Sequence, residues 1–478
     1  MPETNESMKP FIGIQMAAES VLLEGAANTL DLMQQEAGAN TILVGSHGGG
    51  YGGNNDDMTK GWADHGVPLQ PLPPGTGPSS YIPVRDHYYA GTILKQARES
   101  GTHRFADRDV LHETLEAARS RQMQVYARHL EGFHPAKALQ MTNFSKVSQI
   151  DCYGRRVSAP CWNHPDYRNW WLSMTEEWCK EYALDGLILG PERDAPLAPL
   201  LYGVGIPTCF CEHCREHAVR RGYPLEDARE GYRQLYELLT RTARTGQMPS
   251  DGMFITILRL MFKYPGIVVW EKFMNDSKWS LHAEIYGAVK ALRPQMQVGW
   301  MVPVYPLMHD IFSRAISYDY EVMAPWSDFL KLNVYQDVNA ARLHVWLDRA
   351  TQFFYRDLSP RQLHQFLYSI FGYDTNTEPD YEASKKTPFS PGYVKREITR
   401  CQEALGDAPT QVYAGIGVDI PHQNTEPTRY DDQFKATYAA FEAGADGLLL
   451  SREWEFMTLP TLNATRDAIA AAKKDGLY

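Results

Sequence analysis

The residues best equipped for chemistry lie close together in segment 184–216, LDGLILGPERDAPLAPLLYGVGIPTCFCEHCRE. The apolar run at 186–189 reads as a buried strand, and it ends on Pro191, Glu192, Arg193 and Asp194. Carboxylates therefore stand where a parallel strand gives way to its loop, the edge at which α/β barrels carry their catalytic groups. Cys209, Cys211 and Cys214 follow at C-x-C-x2-C spacing, and their thiolates can converge on one soft metal ion if the loop folds back tightly. A tetrahedral site needs a fourth ligand. Cys161, just ahead of the helix that precedes the strand, is the first choice, with Cys152, His213 and His217 behind it. Closed by four protein ligands, the site would hold structural zinc rather than a catalytic metal.

The elements that must position these groups come from hydrophobic periodicity. Runs at 11–16, 40–44, 125–128, 186–189, 297–302, 329–335, 411–419 and 444–451 read as strands, and amphipathic stretches at 25–37, 107–121, 164–182, 431–443 and 462–474 read as helices. Eight such βα units imply a parallel sheet closed into a (β/α)8 barrel, one domain over 1–478. Two insertions are expected, a Pro- and Gly-rich flap at about 48–102 and a helical excursion at about 215–280 with room for two or three helices. The glycine-rich run at 45–53 is followed by no Gly-Lys-Ser/Thr, which discounts a P-loop. The polar stretch at 374–391 is expected at the surface.

Loops after these strands bring His47, His129, Glu131, Glu192, Arg193, Asp194, Trp300, Tyr305, Tyr335, Asp337, Asp419, Glu453 and Glu455 to one face of the barrel. Several carboxylates beside Trp and Tyr are what glycoside hydrolysis requires. One acid protonates the leaving oxygen while a second carboxylate attacks or activates water. Each carboxylate taken singly is as well explained by a salt bridge at the barrel rim, and their coincidence at strand ends is what favours catalysis.

A formal net charge of −11 argues against nucleic acid or an anionic membrane as partner and fits a neutral or small polar substrate better. The chain has 11 Trp and 27 Tyr, some available as platforms for sugar faces although most are expected to pack. The N-terminus lacks a basic and then apolar leader, no run approaches 18 apolar residues, and seven cysteines make an odd number, so a reducing, cytoplasmic location is expected. A homo-oligomer is compatible with all of this.

Residues Ser158 to Arg168, SAPCWNHPDYR, followed by a long helix, a strand ending in Glu192 and then Cys209-x-Cys211-x2-Cys214, resemble the family 42 β-galactosidases and related clan A barrel glycosidases. The resemblance covers mainly residues 155–220. It implies structural zinc on Cys161, Cys209, Cys211 and Cys214, and Glu192 as general acid/base. The family has Asn before that Glu, where Pro191 stands here, and a Glu nucleophile after strand seven, where this strand ends in Asp419. Asp419 is thus expected as nucleophile or base, with Asp337 or Glu453 as substitutes, and His47, His129, Glu131, Trp300, Tyr335, Asp337 and Glu453 as substrate contacts. The competing readings are a sugar lyase or isomerase using His129 or His47 as base, with a divalent metal near Glu131, and a non-catalytic carbohydrate-binding barrel.

Overall fold

Eight parallel strands close into a ring in a computed structural model that describes residues 10–48, 63–67, 79–83, 85–96, 108–130, 141–190, 193–203, 205–303, 311–317, 319–422 and 425–478. The barrel strands are β1 Phe11–Met16, β2 Thr41–Gly45, β3 Gln124–Leu130, β4 Gly186–Gly190, β5 Gln297–Pro303, β6 Phe329–Asn333, β7 Gln411–Gly417 and β8 Gly447–Ser451. Each pairs with its neighbours in chain order, and β1 closes onto β8. All eight expected strands are present, and the fold is a (β/α)8 barrel. Runs such as GLILG and GLLLS are apolar throughout because a barrel strand is buried on both faces.

Side-chain parity divides the barrel into an inside and an outside. Phe11, Leu43, Tyr126, Ile188, Met301, Phe329, Tyr413 and Leu449 form one interior cluster, while alternate residues join the layer under the helices. Glycines make room for the interior rings: a Cβ on Gly299 would meet Phe329 at 2.0 Å, and one on Gly186 would meet Tyr126 at 2.2 Å. Phe11 stacks on Tyr413 with centroids 4.3 Å apart, and Phe329 on Tyr413 at 4.7 Å.

The lower rim repeats a single device four times. Asn40, Asp185, Asp328 and Asp446 each stand just before an even-numbered strand, and each side chain accepts from a main-chain amide in the preceding odd strand. The donors are Ile12 at 3.0 Å, Val125 at 2.8 Å, Val298 at 2.7 Å and Val412 at 2.8 Å. These bonds satisfy strand-end amides that the ladder leaves open.

The excursion after β4 holds four helices, Glu212–Arg221, Leu225–Thr245, Gly252–Lys263 and Gly266–Leu292, rather than two or three. Short breaks at Pro224 and Pro265 cut what sequence periodicity joins. The stretch at 374–391 is pinned rather than wholly superficial, since Glu378, Ser384 and Phe389 are buried in it. Most of the flap at 48–102 lies outside the described residues. Among the described residues no single helix is long and apolar enough to cross a membrane.

Candidate functional site

Above the apolar interior the inward positions become polar. Arg128 lies two residues beyond Tyr126 on β3, Lys331 two beyond Phe329 on β6, and Gln15 four beyond Phe11 on β1, so all three share the inner face with those rings. Arg128 grips the Glu453 carboxylate with two nitrogens, at 2.6 and 2.9 Å, and both side chains are buried. Bidentate charge-assisted bonding of this kind fixes the carboxylate in orientation as well as charge. Lys331 donates to Gln15 Oε1 at 3.0 Å and to the Tyr335 hydroxyl at 2.7 Å. Tyr335 follows β6 with φ of 37°, in the left-handed region. A non-glycine residue held there costs roughly 1–2 kcal/mol, a strain found most often where function fixes the backbone.

Two further carboxyls border this layer. Asp337 Oδ2 accepts from the Ile420 amide at 2.9 Å, and its buried Oδ1 has no hydrogen-bond partner among the described residues. Burial, reinforced by the nearby Asp419 charge, pushes its pKa up to about 7. Glu455 accepts from Ser20 Oγ at 2.7 Å, and burial together with the Glu453 charge raises it to about 8. Glu453 and Glu455 therefore form an unlike pair, the first held as a carboxylate by Arg128 and the second favouring its proton at neutral pH.

The structure brings Tyr335, Asp337 and Glu453 to this end of the barrel and corrects two other expectations, those for Trp300 and His129. Trp300 neighbours the inward Met301 and so points outward; it is 2% exposed, stacks on His282 at 4.0 Å and donates to the Trp326 carbonyl at 2.8 Å. It is part of the core, not a sugar platform. His129 likewise follows the inward Arg128 and packs among Trp170, Trp171 and Trp178 of helix Pro165–Glu181, with centroid distances of 5.1 to 6.2 Å. Asp419, expected as the second carboxylate, is buried and engaged in holding loops. Its oxygens accept from the Thr428 amide at 2.7 Å, the Thr458 amide at 2.8 Å and the Thr461 hydroxyl at 3.3 Å. Burial raises its pKa and these donors oppose the rise.

Glu131, Glu192, Tyr305 and the side chain of His47 lie outside the described residues. Arg128, Lys331 and Gln15 were missed as site residues, although the sequence carries their signal. A charged residue in FLKLN or VYARHL, at the parity of the buried rings, has to be paid for by a partner or a function.

The four cysteines Cys161, Cys209, Cys211 and Cys214 converge, with all sulfurs within 4.8 Å of one another. Cys161 Sγ lies 3.5 Å from Cys214 Sγ and 3.4 Å from Cys211 Sγ, close to the edge of roughly 3.8 Å that a tetrahedron of zinc–sulfur bonds near 2.3 Å would have. Amides already serve the sulfurs: Ile150 N donates to Cys209, Asn163 N to Cys161 and Asn163 Nδ2 to Cys214, each at 3.4 Å. Such donors stabilise thiolate charge, and the contacts from neighbouring thiols hold Cys211 far below the ordinary thiol range. Four convergent thiols with their own N–H donors suit a soft divalent cation. Cys161 ends the hairpin of 148–160, and Cys214 lies in the first turn of Glu212–Arg221, so an ion here would join two separate parts of the chain.

No protein-family model matches the chain, and no curated protein sequence shows significant similarity to it. Solved structures do. The β-galactosidase of the Antarctic haloarchaeon Halorubrum lacusprofundi superposes with a TM-score of 0.51 at 13% identity, covering 98% of this chain and 58% of its own. A family GH42 β-galactosidase from G. stearothermophilus gives 0.50 at 12% identity over 98% of this chain and 58% of its own, and the β-galactosidase of Marinomonas ef1 gives 0.50 at 11% over 98% and 59%. The chain thus spans less than two thirds of the length of these structures, and at such identities the likeness is one of fold, a barrel with family 42 β-galactosidases among its structural neighbours.

Proposed function

We propose that the protein is a glycoside hydrolase in which Glu192 is the general acid/base and Glu453, in place of Asp419, is the second carboxylate. The observation that carries this reading is the Arg128–Glu453 pair in the throat of a barrel whose structural neighbours are glycosidases. A nucleophile or general base must be ionised, and the Arg128 guanidinium favours that form of Glu453. In the sequence Glu192 follows β4 and Glu453 follows β8, and these two strands stand opposite each other in the ring of eight. Carboxylates flanking a glycosidic bond need that disposition. Tyr335, supported by Lys331, and Asp337 would contact the sugar, with His47 and Glu131 from the loops after β2 and β3. The substrate is a carbohydrate and the location cytoplasmic, in keeping with seven free cysteines. Zinc is assigned to Cys161, Cys209, Cys211 and Cys214 as a structural ion that takes no part in bond cleavage.

A panel of 4-nitrophenyl glycosides tests the activity, and substitutions test the second carboxylate. Glu453→Gln should lower kcat by about a thousand-fold or more in protein that remains folded by circular dichroism. Asp419→Asn should reduce stability yet leave kcat within a few-fold for the folded fraction. Glu453→Gln with undiminished turnover, or Asp419→Asn inactive while stably folded, would return the role to Asp419.

A further inference from the structure

One helix of the excursion is apolar on two faces. Gly252–Lys263, GMFITILRLMFK, buries Met253, Ile257 and Met261, spaced four residues apart, over its neighbours Leu225–Thr245 and Gly266–Leu292. Turned about 120° from that stripe stand Phe254, Leu258 and Phe262, again four residues apart, with Ile255 beside them. Phe262 is 84% exposed, Ile255 49% and Phe254 37%, and Leu258 is partly buried. The outer face of a surface helix is ordinarily polar, and a helix apolar on both sides is one covered on both sides. Apolar side chains exposed singly are common on protein surfaces, whereas four gathered on one face of a three-turn helix mark a contact surface.

The charges along the helix indicate what covers it. Asp251 precedes it, and Asp357 caps its first turn by accepting from the Met253 amide at 3.0 Å and the Phe254 amide at 2.7 Å. Arg259 and Lys263 occupy its second half; Arg259 reaches Asp251 at 2.8 Å, and Lys263 Nζ lies 5.0 Å from the Tyr264 ring centroid. One end is therefore acidic and the other basic, which complements an identical helix running the opposite way. The apolar ridge has the same symmetry. With Leu258 on a two-fold axis, Leu258 meets its own copy, Phe254 of each copy meets Phe262 of the other, and Lys263 of each comes beside the Asp251 end of the other. An anionic bilayer is a poorer match, since the two carboxylates at one end and a net charge of −11 would be repelled by it.

We propose that this face is the interface of a homodimer, formed by antiparallel pairing of helix Gly252–Lys263 with its copy about Leu258. A helix of this length is a rod about 18 Å long. Two such rods cover less than the roughly 800 Å² per partner of a standard interface, so the dimer should be a weak one that dissociates in the micromolar range.

Sedimentation velocity on the intact protein tests the association. The wild type should pass from monomer to dimer between about 1 and 100 μM. Phe262→Asp alters an exposed side chain and leaves the core untouched; it should raise the dissociation constant at least about ten-fold with an unchanged circular dichroism spectrum. Lys263→Glu should weaken the dimer, and adding Asp251→Lys should restore it. Mild oxidation reads the orientation: Leu258→Cys should cross-link to itself, and Phe254→Cys mixed with Phe262→Cys should cross-link while neither does so alone. A wild type still monomeric at about 100 μM, a dimer that Phe262→Asp leaves intact, or Phe262→Cys cross-linking to itself overturns the proposal. Co-sedimentation of monomeric wild type with phosphatidylserine vesicles, lost in Phe262→Asp, would overturn it too and give the face to a bilayer. No readout uses turnover, so the glycosidase reading stands or falls separately.

Discussion

At the scale of single residues, two carboxyls tie the mouth to pH. Glu455 and Asp337 have folded-state pKa values raised to about 8 and about 7, from ordinary values of 4.5 and 3.8. Between the ordinary and the raised value the folded protein holds a proton that the unfolded chain has released, so stability falls as pH rises through that window. The urea midpoint is expected to fall between pH 5 and pH 8 by the equivalent of a few kcal/mol, at up to about 1.4 kcal/mol per pH unit for each group. Glu455→Gln and Asp337→Asn should each flatten the profile, and a midpoint independent of pH in the wild type would contradict the burial of both groups. Arg128 is the converse case. Arg128→Met leaves Glu453 buried without its counter-charge and should destabilise the protein by about 3–5 kcal/mol, and Arg128→Met combined with Glu453→Gln should regain much of the loss. Equilibrium unfolding of the two variants checks this.

At the scale of elements, the cysteine group draws its thiols from beside the hairpin of 148–160 and from the helix Glu212–Arg221, where a bound zinc would act as a clasp. Titration with a mercurial should release one zinc per chain as the thiols react, and Cys214→Ser should abolish the release. The same substitution should expose the segment around residues 205–215 to limited proteolysis while the barrel resists. Release of no metal from protein with all four cysteines intact would refute the assignment. The convergence of these thiols was legible because C-x-C-x2-C spacing has few other uses, and Cys161 as the fourth member was expected from its place before the Pro165 helix. Trp300 and His129 were misread for a physical reason. Standing near a strand end does not tell which face of the strand a side chain occupies, and one residue of parity moves it from the mouth to the helix layer. Counting outward from Phe11, Tyr126 and Phe329 would have selected Gln15, Arg128 and Lys331 instead.

At the scale of the whole molecule, the eight strands could be read because burial on both faces forces near-continuous apolar runs. The helical excursion was undercounted because a break as short as Tyr264 and Pro265 hardly interrupts apolar periodicity. The Pro- and Gly-rich stretch at 48–102 carries no period. The interior offers a direct check on the barrel. Gly299→Val would place methyl groups where the Phe329 ring lies, since even a Cβ would meet it at 2.0 Å. Destabilisation of at least about 1–3 kcal/mol is expected by chemical denaturation, and a neutral effect would contradict the ring packing. That Glu192 is the acid is a proposal, made from its place in the sequence two residues past the end of β4. The measurement closest to that claim compares wild type with Glu192→Gln on a phenyl glycoside that the wild type cleaves. A fall in kcat/KM of at least about a hundred-fold with an unchanged circular dichroism spectrum is predicted, and full activity in the folded variant would contradict it.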